Sequence, residues 1–96
     1  MRKEFLAVLL FVKFGFNFSH PRDFISYICE KTQKTYLIDH LVSKFSYIYE
    51  TFGSHAVIFT FFCELDSDLQ EALVDYAINV YAPVGMATKY EEYKSL

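Results

Sequence analysis

The side chains of this 96-residue chain that could do covalent chemistry are two cysteines, Cys29 and Cys63, and three histidines, His20, His40 and His55. A cysteine nucleophile needs a base within hydrogen-bond reach. No spacing supplies one. His55 and Cys63 are about 12 Å apart along a helix, and the neighbours Asp39 and His40 point in different directions on a helix surface. The sequence has no His-x₃-His or Cys-x₂-Cys pair of the kind that ligates zinc, and no glycine-rich phosphate loop. Both cysteines sit in apolar runs, Ile28-Cys29 and Phe61-Phe62-Cys63. They are therefore expected to be buried thiols in a reducing, cytoplasmic protein. The expectation is a chain with no catalytic residue, no metal and no cofactor.

Charge is the feature that points elsewhere. Residues 1–49 carry seven Lys/Arg against four Asp/Glu, a net +3, and residues 50–96 carry two against eight, a net −6. No Lys or Arg occurs between Lys44 and Lys89. At about 100° per residue, Asp68, Glu71 and Asp75 fall within roughly 60° of one another on a helix, with Asn79 on the same line. Glu64 and Asp66 precede that ridge. Asp68 and Glu71 also suit a helix N-terminus, where the dipole favours acids. Asp75 lies beyond that help, and no cation at i+3 or i+4 relieves its like-charge spacing from Glu71. The sequence thus predicts an unrelieved acidic surface suited to a basic protein partner. The same acidic balance, with Lys and Arg thinly spread, argues against nucleic acid. Tyr81, Tyr90 and Tyr93 lie in the acidic half with Glu91 and Glu92, and tyrosine is enriched at interface hot spots. These residues complete the set expected to contact a partner.

The elements that must position these groups read as helices. Ser19-His20-Pro21 starts one, because proline suits a first turn; Phe24, Ile25, Ile28 and Cys29 share its inner face, and it ends near Thr32-Gln33. Leu37, Leu41, Phe45, Ile48 and Phe52 recur at helical spacing, and Gly53 stands where a left-handed cap is expected. Residues 55–63 are apolar all round; β-propensity favours a strand there, whereas the flanking helices and a Ser54 cap favour a short helix. Ser67-x-x-Gln70 reads as a capping box opening a helix over 67–81. Its stripe is Leu69, Leu73, Tyr76, Ala77 and Val80, with Val74, Ile78 and Tyr81 as a second stripe. Pro83 and Gly85 stop it, and residues 90–93 allow one more turn. The run Phe5–Val12 follows Met1-Arg2-Lys3-Glu4 in the manner of a weak signal segment, yet eight apolar residues fall far short of the ~20 that span a bilayer. It is read as a buried element, helical to about Phe14.

Hydrophobic residues at 53% and aromatics at 20% exclude a disordered chain, and the length allows one domain over 1–96. The expected fold is all-α, a compact bundle of five to seven short helices. The alternative is α+β, with residues 5–18 and 55–63 as strands. In size and in the layout of Glu64, Asp66, Asp68, Glu71 and Asp75, the chain resembles the small acidic immunity proteins of bacterial toxin systems, contact-dependent growth inhibition included. That resemblance implies a cytoplasmic inhibitor, monomeric or dimeric when free, that covers the basic cleft of a nuclease toxin with carboxylates in place of phosphates. A homo-oligomeric or adaptor protein, self-associating through the apolar surplus of helix 67–81, is the competing expectation. No membrane partner is expected.

Overall fold

Helix α1, Pro21–Lys31, begins with proline and has Asp23 in its first turn; His20 precedes it without a side-chain cap. The fixed φ of proline and the dipole-favoured acid stand in for the missing cap. The structure, a computed structural model, describes residues 11–54 and 56–95, with the backbone alone at Tyr93. The reading of the apolar run before Phe11, and of His55, lies outside the described residues. Residues 11–13 are helical, followed by a turn closed by the Gly15 N–H donating to the Val12 carbonyl at 2.9 Å.

After α1 the chain reverses through Gln33 at φ 60° into a single 3-10 turn, Thr35–Leu37, and helix α2, Ile38–Phe52. Leu41, Phe45 and Ile48 are the buried stripe of α2. Phe52, expected to extend that stripe, is exposed, because α2 ends there. Gly53 reverses the chain at φ 83°, with its N–H donating to the Tyr49 carbonyl.

Helix α3, Val57–Glu64, settles the helix-or-strand ambiguity in favour of helix, and no strand occurs among the described residues. Its first turn is preceded by Ala56 without a side-chain cap, so the expected Ser54 cap does not form. Val57, Ile58, Phe61 and Phe62 are all buried, and a helix satisfies every interior backbone group of such a segment without a partner strand. Packing thereby overrides the β-preference of the side chains. Helical geometry also corrects the expectation for Cys63, which is exposed. It lies about 140° round the helix from Ile58.

Helix α4 spans Ser67–Asp75, and its cap is Asp66 rather than Ser67, with the Asp66 carboxylate accepting from the Leu69 N–H at 3.0 Å. Gln70 is not a capping-box partner. It is buried, and its amide donates to the Phe62 carbonyl at 2.9 Å, tying α4 to α3. The expected single helix over 67–81 then changes character. Tyr76–Tyr81 is a π-helix that ends at Ala82 in the left-handed region. Helix α5, Met86–Lys94, follows.

The protein is all-α, with the helical residues 11–13, five further α-helices, one 3-10 turn and one π-helix among the described residues. Its radius of gyration, 12.7 Å, matches the ~12.5 Å of a compact chain of this length. One core joins the elements: Phe11, Phe24, Phe45, Phe61 and Phe62 are fully buried with Ile25, Ile28, Ile58, Leu73 and Met86. None of the described helices is long and apolar enough to cross a membrane.

Ala82 adopts φ 41°, ψ 50°, where a Cβ crowds the following carbonyl at a cost of about 1–2 kcal/mol. Glycine loses more unfolded-state entropy, which offsets part of the relief. Ala82→Gly is therefore expected to raise stability by about 0.5–1 kcal/mol, read as a higher urea midpoint with an unchanged slope.

Candidate functional site

Three of the expected contact residues converge. Asp68, Glu71 and Asp75, one helical face of α4, line a groove of about 450 Å³ with Ala72 and, from the end of α1, Lys31 and Thr32. The groove exists because α1 packs beside α4 while its last turn carries long polar side chains rather than apolar ones.

The groove is not unrelieved, and here the structure corrects the sequence reading. Lys31 Nζ lies 2.7 Å from the Asp75 carboxylate. Lys34 Nζ lies 2.8 Å from Asp66 and 3.7 Å from Asp68, and Lys44 Nζ lies 3.0 Å from Glu64. Positions i+3 and i+4 lie on the same helix, whereas the relief comes from residues 20 to 44 positions earlier. The positive half of the sequence is folded onto the negative half. Three lysines pair with four of the five carboxylates, so a net negative charge survives. Glu71 is the carboxylate with no ion pair among the described residues, and Asp68 holds its lysine at the longest of these distances. Exposed pairs of this kind are screened by solvent and contribute little to stability. They orient α1 and α2 against α3 and α4 more than they hold them.

Asp75 is the most heavily bonded residue of the groove. Its carboxylate accepts from the Tyr27 hydroxyl at 2.7 Å, from Lys31 at 2.7 Å and from the Asn79 amide at 2.8 Å. Lys31 also reaches the Tyr27 oxygen at 3.4 Å. Lys31, then Tyr27, hold the Asp75 carboxyl below its ordinary value, and Asp75 in turn raises Lys31. Lys34, then the Leu69 N–H, lower Asp66, and Asp66 raises Lys34. Tyr27, Lys31, Lys34 and Lys44 were not singled out from the sequence. The opposite signs of the two halves, +3 and −6, were the available signal, and nothing in the spacing said which lysine meets which acid.

No protein-family model matches the chain, no curated protein matches it in sequence, and no solved structure matches it.

The remaining expected contacts lie elsewhere. Glu91 and Glu92 line a separate shallow depression on α5 with Ala87, Thr88 and Ser95, and each has a local lysine at 3.5 Å, Lys94 and Lys89 respectively. Tyr90 packs against the core with Lys94 over its ring. Tyr81 is partly buried against the core. Its ring packs edge-on against Phe11 and Phe16, and its hydroxyl donates to the Phe14 carbonyl at 2.8 Å. The side chain of Tyr93 lies outside the described residues. Cys29 is buried, and burial, then Glu30, push its thiol up, the reverse of nucleophile activation. Among the described residues no group of three His, Cys, Asp or Glu side chains is placed to hold a metal.

The paired groups fix a pH profile. Asp66 and Asp75 ionise more readily in the folded chain, so their contribution is complete above the unfolded carboxyl value and is lost as pH falls through the folded one. Lys31 and Lys34 bind their protons more tightly when folded, so theirs is complete below the unfolded ammonium value and is lost as pH rises through the folded one. Thermal melts are expected to show a plateau near neutrality, a fall below about pH 4 and a second fall above about pH 10.5. Lys31→Met is expected to flatten both limbs.

Proposed function

We propose that this chain is a protein-binding domain of the immunity type, which seats a basic partner, a nuclease toxin by preference, in the groove between α1 and α4. The single observation that carries this reading is the convergence of Asp68, Glu71 and Asp75 on one groove that holds fewer ammonium groups than carboxylates. Glu71 and Asp68 offer the accepting capacity that the lysines leave unused. The groove is broad and open, which suits a protruding arginine or lysine of a protein. Carboxylates so placed would steer a cationic cleft toward the groove and occupy the positions of its phosphates. The internal lysines lower the field available for steering, so the expected gain in association rate is smaller than five bare carboxylates would give.

The test is affinity capture from source-cell extract with the wild-type chain and with the double variant Asp68→Lys, Glu71→Lys. The expected result is a basic protein held by the wild type at low salt, released as salt rises, and bound at least 100-fold more weakly by the variant, since two opposed charges each cost more than 1.4 kcal/mol. Equal retention of the same proteins by both chains would refute the reading.

A homo-oligomeric or adaptor role is the second reading, and the outer side of the α2 region favours it. Tyr36 and Tyr47 are 77% and 67% exposed, aromatic side chains of the type enriched at interface hot spots. Sedimentation showing a tight dimer that Tyr47→Glu dissociates, with no effect of the groove variant, would select it.

A further inference from the structure

The π-helix sits where two apolar residues compete for one position. Leu69 and Leu73 are buried on the inner face of α4, and Ala77 is buried one turn later. Were the α-helical register to continue, Val80 would come within about 20° of Leu73, and Tyr81 would stand about 80° round the helix. The structure shows the opposite. Val80 is 48% exposed, and Tyr81, partly buried, is the residue packed against the core. The wider turn, closed by the Ala82 N–H donating five residues back to the Ala77 carbonyl at 3.2 Å, moves the inner position from 80 to 81.

This arrangement is held from outside the segment. Tyr81 is paid for by the Phe11 and Phe16 rings and by the Phe14 carbonyl. Against it stand the left-handed strain at Ala82, the exposure of Val80 and the rarity of π-helical geometry itself, which recurs at functional sites. The α register would reverse each term: Val80 buried, Tyr81 released and the hydroxyl bond to Phe14 broken.

We propose that residues 76–82 are a two-register element. The π register packs Tyr81 against the core, and an α register buries Val80 in its place and presents the whole Tyr81 ring to solvent. The released ring is an aromatic of the type that anchors protein interfaces. The exchange stands independently of whether a basic partner occupies the groove. It belongs to the microsecond-to-millisecond range of helix register shifts, with the minor state in the range of about 0.1–10%.

The experiment is ¹⁵N relaxation dispersion on the full chain, with three proteins compared. Wild type is expected to show exchange confined to residues 76–82 and the Phe14 region. Tyr81→Phe removes a bond made only in the π register and is expected to raise the minor population about fivefold. Val80→Asp places a charge that is exposed in the π register and buried in the α register. It is expected to abolish the exchange while leaving the thermal midpoint within a few degrees of wild type. Absence of exchange in both wild type and Tyr81→Phe, an unchanged population in Tyr81→Phe, or wild-type exchange in Val80→Asp would each overturn the proposal.

Discussion

Replacing Phe24 with alanine is expected to cost about 3–5 kcal/mol, among the largest losses expected for a described side chain. Phe24 is fully buried. Its ring centroid lies 5.5 Å from Phe45, 5.7 Å from Phe16, 6.2 Å from Tyr76 and 6.3 Å from Phe61. These neighbours come from α2, from the chain before α1, from the π-helix and from α3. Removing the ring forfeits the transfer energy of the benzyl group and leaves a cavity that rigid aromatic walls cannot fill by collapse. A domain of this size has about 5–15 kcal/mol of stability in all, so the variant should unfold at a much lower urea concentration or fail to accumulate. Phe24→Leu fills most of the space and should cost about 1–2 kcal/mol. A loss under 1 kcal/mol for Phe24→Ala would show that the aromatic cluster is not the shared centre of the fold.

Asp75→Ala is expected to cost about 1–2 kcal/mol at neutral pH. The substitution strands three donors at once, the Tyr27 hydroxyl, Lys31 and the Asn79 amide. Hydrogen bonds to a charged acceptor are worth more than neutral ones, and solvent beside the groove reduces that worth. Glu71→Ala, on the same face without an ion pair among the described residues, should be neutral or slightly stabilising, because it removes a like charge one turn from Asp75. The contrast between two carboxylates of one ridge is the measurement, made by urea denaturation of both variants. Equal losses would show that Asp75 is no more embedded than its neighbour. The contrast also separates roles in the groove, with Asp75 acting mainly as structure and Glu71 and Asp68 left as the carboxylates for the proposed partner.

Taken alone, the sequence favoured the helical class, with residues 5–18 and 55–63 open to a strand reading, and determined most of the inner faces. Stripes such as Leu41, Phe45 and Ile48, or Phe24, Ile25, Ile28 and Cys29, are local consequences of a 3.6-residue period, and the structure buries all of them. The alignment of Asp68, Glu71 and Asp75 was legible for the same reason, and they do share one groove. Tertiary structure alone decided what surrounds those carboxylates. An ion pair between Lys31 and Asp75 links residues on different helices, and no periodicity encodes a contact between segments until packing sets their relative orientation. Packing likewise chose Tyr81 over Val80 for the inner position. Residues 76–81 carry no sequence signal for a π-helix, and the deciding partners, Phe11, Phe14 and Phe16, lie more than sixty residues away along the chain. Local periodicity fixes which way a side chain points on its own helix, and only the assembled core fixes what it meets there.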